Sequence, residues 1–543
     1  MNSNPKKWLE ARKYNPEQLE IAKLVLKEVQ EGTTAIKSIR HHPLSTGGYI
    51  AKHTLVKVYR QMVSSGELEK NSQLLAHIRM KPTRTLSGVT TVTVLTKPYT
   101  CPGKCIFCPN DKALPKSYLR KEPGAARALQ NQFNPYKQVS SRIHSYQAIG
   151  HPTDKIELLI LGGSWTSYPH DYQEWFIKRC LDAMNNRESK SLAQAQLFNE
   201  SAKHRNVGLV IETRPDEITP QVLVNLRTLG VTKVQIGAQS FNDHLLALNK
   251  RGHTSGDTLK ATALLRRAGF KIVMHWMPNL LGATLESDRQ DFPHMWDDGY
   301  CPDELKIYPT QLLKSAELYS YWQKGEYVPY STDELINLIA DLKLLIPPYC
   351  RVNRIIRDIP ASYIVAGNRR SSLRQDIQKE LLRRGKACNC VRCREIRAQP
   401  IKRETLKLED FIYQAAFAEE HFLSFVTPNN KLAGYLRLSL PYSKADADLQ
   451  NDFHKLIQLM PELHNAAIIR EVHIYGQSLE VNSKYEGAAQ HSGLGTALLD
   501  KAAEITRTHN FPKLTVIAAI GTRLYYKARN FGRSEFYMLR KLD

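Results

Sequence analysis

The segment Val89-Thr-Thr-Val-Thr-Val-Leu-Thr-Lys-Pro-Tyr99 runs directly into Thr100-Cys101-Pro-Gly-Lys-Cys105-Ile-Phe-Cys108. Its first half is apolar and β-branched, which reads as a strand. The loop that follows presents three thiols in C-x3-C-x2-C spacing. Cubane iron–sulfur clusters are ordinarily held by four cysteines. Three ligands leave one iron open, and an open iron can bind and reduce a small molecule. A zinc knuckle, or a redox pair with a spare thiol, is the competing reading. Zinc prefers four ligands arranged as C-x2-C pairs. The position directly after a strand, with Phe107 just before the last cysteine, favours the cluster.

Working outward, strands are expected at Val89–Leu95, Ile156–Gly162, Val207–Thr213, Lys233–Ala238, Lys271–Met277 and Glu304–Tyr308. They are short, β-branched and read as apolar on both faces, the pattern of buried parallel strands. The connections are long enough for helices, so the expected fold is α/β, a partial (β/α)6 barrel over residues 85–345. Polar residues follow the strand ends: the cysteine loop, Gly162-Gly163, Glu212-Thr-Arg214 and Gln239-Ser240. Active sites of such barrels lie at those ends. In this setting the cysteine loop resembles that of radical S-adenosylmethionine (SAM) enzymes. Cys101, Cys105 and Cys108 would hold a 4Fe-4S cluster whose free iron chelates SAM. Gly162 and Gly163 would admit the methionine part of SAM close to the backbone, with Glu212 and Arg214 holding its polar groups. A plain turn and a strand-end ion pair are the ordinary alternatives for these two pairs.

Residues 1–84 read as a basic helical module, with Asn15-Pro16-Glu17 as a helix start. Net charge is +23, and it is localised. Residues 1–84 carry 15 Lys/Arg against 7 Asp/Glu, and residues 351–403 carry 15 against 4. Such concentration points to a phosphate-rich partner, with two solvated basic faces as the plainer reading. No run of about 18 apolar residues is present, so no membrane span is expected. An apolar signal core is missing at the start, and nine cysteines fall mostly in two tight groups. Metal ligation in a reducing compartment suits that usage, and a cytoplasmic location is expected.

The second group, Cys388-Asn-Cys390-Val-Arg-Cys393, lies in an arginine-rich connector, residues 346–403. Structural zinc is the expected occupant. The fourth ligand is not identified; Cys350, Cys301 or a histidine are the candidates, and an auxiliary iron–sulfur cluster is the alternative. Aromatics accompany the basic connector: Tyr308, Tyr319, Tyr321, Trp322, Tyr327 and Tyr330 suit stacking on unpaired RNA bases, with packing as the ordinary reading of each one.

Residues 404–543 change character to an α+β unit. Gln490-His491-Ser-Gly493-Leu-Gly495 precedes a helix and fits the Q/R-x-x-G-x-G/A pattern of the GNAT acetyltransferases. Glycines at a helix N-terminus expose N–H groups to a pyrophosphate. Acetyl-CoA is therefore the expected ligand of this unit.

Radical SAM barrel plus C-terminal GNAT domain is a rare fusion. The chain resembles the family of the Elongator catalytic subunit, the tRNA uridine carboxymethyl synthases. Motifs along nearly the whole chain carry the resemblance. They include Ile211-Glu-Thr-Arg-Pro-Asp216, Gly237-Ala-Gln-Ser240, Leu305-Lys-Ile-Tyr-Pro309, Arg357-Asp-Ile-Pro360, Cys393-Arg-Glu395, Glu471-Val-His-Ile-Tyr-Gly476 and Gly521-Thr-Arg523 with Tyr525-Tyr526. The first two cysteines are closer together than in eukaryotic members, like a bacterial or archaeal stand-alone enzyme, so entry into a full Elongator assembly is not expected. The resemblance implies that acetyl-CoA is held by Glu471, Val472, His473, Ile474, Ala489, Gln490, His491 and Tyr526, with Lys155 reaching it from the barrel. Lys155 and Tyr526 join the three cluster cysteines as implied catalytic residues. It also implies the reaction: a 5′-deoxyadenosyl radical takes hydrogen from the acetyl methyl. The carbon radical adds to carbon 5 of the wobble uridine in the tRNA anticodon region, and thioester hydrolysis leaves a carboxymethyl group. The electron donor is not identified. Lysine (histone-type) acetylation, with the cluster purely structural, is the rival function.

Overall fold

The computed structural model describes residues 14–397, 399, 401–442, 447–475 and 493–542. Seven strands form one parallel sheet in sequence order: β1 (Thr90–Leu95), β2 (Lys155–Leu161), β3 (Arg205–Thr213), β4 (Lys233–Gln239), β5 (Lys271–Trp276), β6 (Glu304–Ile307) and β7 (Arg351–Arg354). The sheet curls into a half-barrel. Six strands were expected. β7 adds a seventh, inside the segment read as a connector, because four residues of Arg-Val-Asn-Arg carry almost no apolar signal.

The expectation of strands apolar on both faces is corrected. Alternate residues point outward into the helical layer: Val92 and Val94, Ile156 and Leu158, Val234 and Ile236, Ile272 and Met274, Leu305 and Ile307 all join one buried core. Each such side chain contributes roughly 1.5–3 kcal/mol by burial. The other set faces the barrel interior and is largely charged or amide-bearing: Glu157, Lys233, Gln235, Lys271, Glu304 and Lys306. Period-two alternation survived, but the polar half was masked by β-branched neighbours. These groups tolerate burial because they pair with one another.

Before the barrel, helices Pro16–Gln30, Ala35–His41, Lys52–Ser64 and Ser72–Ile78 pack around Ala22, Val25, Leu26, Leu55, Tyr59 and Ile78. Asn15 and Gln18 close a capping box behind Pro16, as the sequence at that point dictates. The helix Ala35–His41, which the sequence reading did not anticipate, is only seven residues long.

The last unit is a second seven-stranded sheet: β8 (Lys407–Ala415), β9 (Ala418–Val426), β10 (Leu432–Pro441), β11 (Ala466–Ile474), β12 (Lys513–Val516), β13 (Gly532–Arg533) and β14 (Met538–Lys541). Its order is β13-β14-β12-β11-β10-β9-β8, and β11 with β12 is its parallel pair. Helix Leu494–Thr508 packs on it through Leu498, Leu499, Ala502 and Ala503. β8 escaped the sequence reading because it is an exposed edge strand carrying Lys407, Glu409 and Asp410.

This unit caps the N-terminal ends of the barrel strands, opposite the cysteine loop. Added Cβ atoms at Gly230, Gly269 and Gly521 would lie 2.9 Å from Ile520, 2.8 Å from Ile468 and 2.9 Å from the Asn206 carbonyl. The register between β10 and β11 slips at Arg470, which stands opposite no β10 residue. Its side chain enters the seam and donates to both oxygens of Asp303 at 2.6 and 2.7 Å and to Glu420 at 3.0 Å. Burial alone would raise the Asp303 pKa, but Arg470 and Arg437 outweigh it and hold it well below the carboxylate range.

Candidate functional site

One continuous cavity of about 1680 Å³ runs through the half-barrel. Cys101, Cys105 and Cys108 line one end; Glu471, His473, Tyr525 and Tyr526 line the other.

At the first end, Arg251 Nη1 lies 3.1 Å from the Cys105 sulfur, and its Nη2 donates to the Gly237 carbonyl at 2.6 Å. Lys116 donates to the Gly103 carbonyl at 2.8 Å. The Cys108 thiol and the two arginines, Arg251 and Arg214, bring the Cys105 thiol down to about 5 against the pull of burial. Arg214 is paired with Asp216 at 2.9 Å and donates to the Arg251 carbonyl at 2.7 Å. Its buried Nη1 has no hydrogen-bond partner among the described residues, and neither has Gln239 Oε1. Two orphaned polar atoms beside three thiols are what a cluster with a polar organic ligand would satisfy, so the residues fit that pair of cofactors. Glu212 also lines the cavity, accepting from the Tyr118 hydroxyl at 3.4 Å. Gly163 lines it too, with nothing within 4 Å of an added Cβ except the Lys116 carbonyl at 4.0 Å. Gly162 is turned away: an added Cβ would sit 1.8 Å from Thr96 Oγ1, so packing against β1 demands glycine there.

The middle of the cavity was not foreseen. Lys233 bridges Glu157 at 2.5 Å and Glu304 at 3.4 Å; Lys271 bridges Glu304 at 2.6 Å and Glu471 at 2.5 Å. Burial would raise Glu304, yet Lys233 and Lys271 hold it well below the carboxylate range. Above this ladder, Gln235 Oε1 takes Lys306 Nζ and lies 3.0 Å from His275 Nε2. Burial, reinforced by Lys306, pushes His275 well below its usual pKa and keeps the ring neutral. Lys306 forms no ion pair among the described residues. Lys155, the first residue of β2, lines the same cavity, and burial lowers its pKa.

At the far end, β11 pairs with β12 only from Ala466 to Ile469 and then continues through Ile474, so the two strands part into a wedge. Glu471, Val472, His473 and Ile474 line that wedge. The Glu471 carboxylate is tied to Lys271, to the Tyr435 hydroxyl at 2.9 Å and to Arg437 at 3.0 Å. Against burial, Lys271 and Arg437 hold it at about 2. Gly493 (φ 74°) caps the helix Leu494–Thr508. Gly495 is pressed so close to Tyr525 that a Cβ would lie 2.5 Å from its hydroxyl. Tyr526 is buried, which pushes its pKa up and keeps it a neutral donor. Ala489, Gln490 and His491 lie outside the described residues.

Elsewhere, the sulfurs of Cys388, Cys390 and Cys393 lie within 4.8 Å of one another. The set fits a zinc ion with three thiolates. Neither suggested fourth ligand joins it: Cys350 is not in the group, and the Cys301 thiol is directed at the Trp296 and Gln414 carbonyls at 3.6 Å. What stands at the group's side is Lys343, fully buried, with Nζ 3.8 Å from the Cys393 sulfur.

Comparison with known proteins agrees with this geometry. The pattern of the Radical SAM superfamily matches residues 96–290, and that of the Radical SAM C-terminal domain matches residues 302–383. A "tRNA uridine(34) acetyltransferase" of Methanocaldococcus infernus is 38% identical over 96% of this chain and 98% of its own length. One of Dehalococcoides mccartyi is 39% identical over 85% of this chain and all of its own. The human "Elongator complex protein 3" is 32% identical over 86% of this chain and 87% of its own. The solved structure of Methanocaldococcus infernus Elp3 with an N-terminal deletion superposes with a TM-score of 0.72 at 36% identity, covering 84% of this chain and 99% of that one. The chain thus belongs to the radical SAM family formed by the tRNA uridine(34) acetyltransferases and Elongator complex protein 3.

Proposed function

We propose that this chain modifies the wobble uridine of tRNA, building a carboxymethyl group on carbon 5 from acetyl-CoA with radical SAM chemistry. The observation that carries the reading is the single cavity whose ends are a three-cysteine loop and a split-strand acyl cradle. A tRNA substrate is supported by the names of full-length relatives and by the basic segments 1–84 and 351–403.

The cluster and SAM, when bound, supply a 5′-deoxyadenosyl radical able to take a hydrogen atom from the acetyl methyl. The chain's own residues do the rest. Cys101, Cys105 and Cys108 hold the cluster, with Arg251 balancing its thiolates. Arg214 Nη1, Gln239, Glu212 and the Gly163 backbone are offered to SAM. The β11 wedge and the Gly493–Gly495 turn receive the pantetheine and pyrophosphate of acetyl-CoA. Tyr526 presents a neutral hydroxyl to the thioester, and Lys155 approaches it from β2. Lys306, a buried cation without an anionic partner among the described residues, is placed to hold an acyl oxygen midway along the cavity. Cys388, Cys390 and Cys393 are assigned to structural zinc.

Lysine acetylation would need a free base at the acyl end. Glu471 is locked in ion pairs, and burial lowers His473 to about 4 between Tyr435 and Tyr475. No observation favours that rival. The test is mass spectrometry of tRNA nucleosides after anaerobic incubation of reconstituted protein with acetyl-CoA, SAM and a reductant. Carboxymethyluridine is expected at the wobble position; failure to form 5′-deoxyadenosine with all components present overturns the reading.

A further inference from the structure

In the tail domain, outside the cavity of the candidate site, Glu419, His421 and His509 bring three donor atoms within 4.8 Å of one another. Glu419 and His421 share one face of β9, and His509 is the residue that ends the helix Leu494–Thr508. Glu419 Oε1 stands 3.3 Å from His421 Nε2 and 3.4 Å from His509 Nε2. Donors around a tetrahedral zinc with bonds of roughly 2.0–2.1 Å are separated by about 3.3 Å. Both separations from Glu419 already match that value, and the two imidazole donors lie within 4.8 Å of each other.

A second observation is independent of spacing. Each imidazole has its other nitrogen committed. His421 Nδ1 lies 2.8 Å from Asp410 Oδ2, and His509 Nδ1 lies 2.9 Å from the Ile505 carbonyl. A carboxylate or carbonyl on the far nitrogen fixes the tautomer and turns the near lone pair towards the shared centre, the arrangement of metal-ligating histidines. His421 is only 3% exposed, so its ring is held in that orientation.

The geometry points to a divalent transition-metal site at Glu419, His421 and His509, with zinc as its occupant and the fourth position left to water. Two imidazoles and one carboxylate suit zinc and its late first-row neighbours rather than magnesium or calcium. The ion would tie the C-terminal end of the helix to the β8–β9 hairpin. The opposite end of that helix carries the Gly493–Gly495 turn, about 22 Å away at 1.5 Å per residue, so the role is to steady the helix rather than to act in catalysis.

The test uses the full, cluster-reconstituted protein and zinc alone. After equilibrium dialysis against buffered zinc, wild type should retain one equivalent more than His509→Ala. Zinc should raise the melting temperature of wild type by a few degrees more than that of the variant. His509→Cys keeps a ligand at the same exposed position and should restore the missing equivalent. Equal zinc counts in wild type and His509→Ala overturn the site. So does a stability loss in His509→Ala that zinc leaves unchanged, because that result belongs to an ion pair alone.

Discussion

Two groups of three cysteines, so alike in the sequence, live in opposite surroundings. Cys101, Cys105 and Cys108 open onto a cavity and are flanked by Arg251 and Arg214. Cys388, Cys390 and Cys393 are drawn within 4.8 Å of one another beside a buried lysine, away from that cavity. The first group is arranged so that something can reach what it holds; the second stands off the cavity, with Cys390 fully buried, which suits a structural role. Access, more than spacing, separates a reactive centre from a fastening.

The largest break in that contrast should come from single thiol replacements. Cys105→Ser should reduce 5′-deoxyadenosine formation to background while zinc content stays at the wild-type level. Cys390→Ser should do the reverse: iron and its absorbance are retained, one equivalent of zinc is lost, and the melting temperature falls by roughly 5 °C or more. Parallel metal analysis and calorimetry of the two variants check this, and loss of both metals from either one would merge the two groups.

Next comes pH. Asp288 accepts from the Asn279 N–H at 2.8 Å and the Tyr330 hydroxyl at 3.0 Å, and Asn279 in turn accepts from Tyr327, which packs beneath Cys105, Ile106 and Phe107. Burial raises the Asp288 pKa to about 7 despite those hydrogen bonds. The folded state therefore holds a proton that the unfolded chain has released, and stability falls as pH rises from about 4 to about 7, then levels off. The full effect is at most about 4 kcal/mol. Denaturant melts across that range should lose this slope in Asp288→Asn, which should gain on wild type above pH 7.

Lys306→Met should lower carboxymethyluridine formation about a hundredfold, the scale of one lost oxyanion donor. Cluster absorbance and zinc content should stay unchanged; Lys306→Arg should recover part of the rate. Smallest is Lys343→Met, which removes the cation beside the second group of thiols. Zinc retention against a chelator should weaken about tenfold, as for a lost outer partner of a metal ligand, with radical formation untouched.

Much of this was legible from residues alone. The C-x3-C-x2-C loop sits after a strand, six barrel strands are where β-branched runs place them, and the Gly493–Gly495 turn opens its helix. What escaped did so for physical reasons. β7 is too short and too basic to register as a strand, and β8 is an exposed edge without a buried face. The charged interior hid inside strands such as Lys271-Ile-Val-Met-His-Trp276, where two or three polar residues are outnumbered by apolar neighbours. The cation beside the second cysteine group is 50 positions away from Cys393, and only folding brings it near. Gly162 has a second reason to be glycine that only folding reveals, its close contact with Thr96.

The slipped residue on β11 has a consequence for ancestry. Arg470 reaches the seam only because β11 bulges there, and it neutralises a carboxylate that belongs to the other half of the molecule. Stripping one member from such a buried pair typically costs 3–5 kcal/mol. A barrel shorn of its tail would lose both Arg470 and Arg437 from Asp303 and keep the Ile272 N–H, and a borrowed tail would be accepted over that carboxylate only if it brought its own arginine. The two halves are in this sense a single heritable unit.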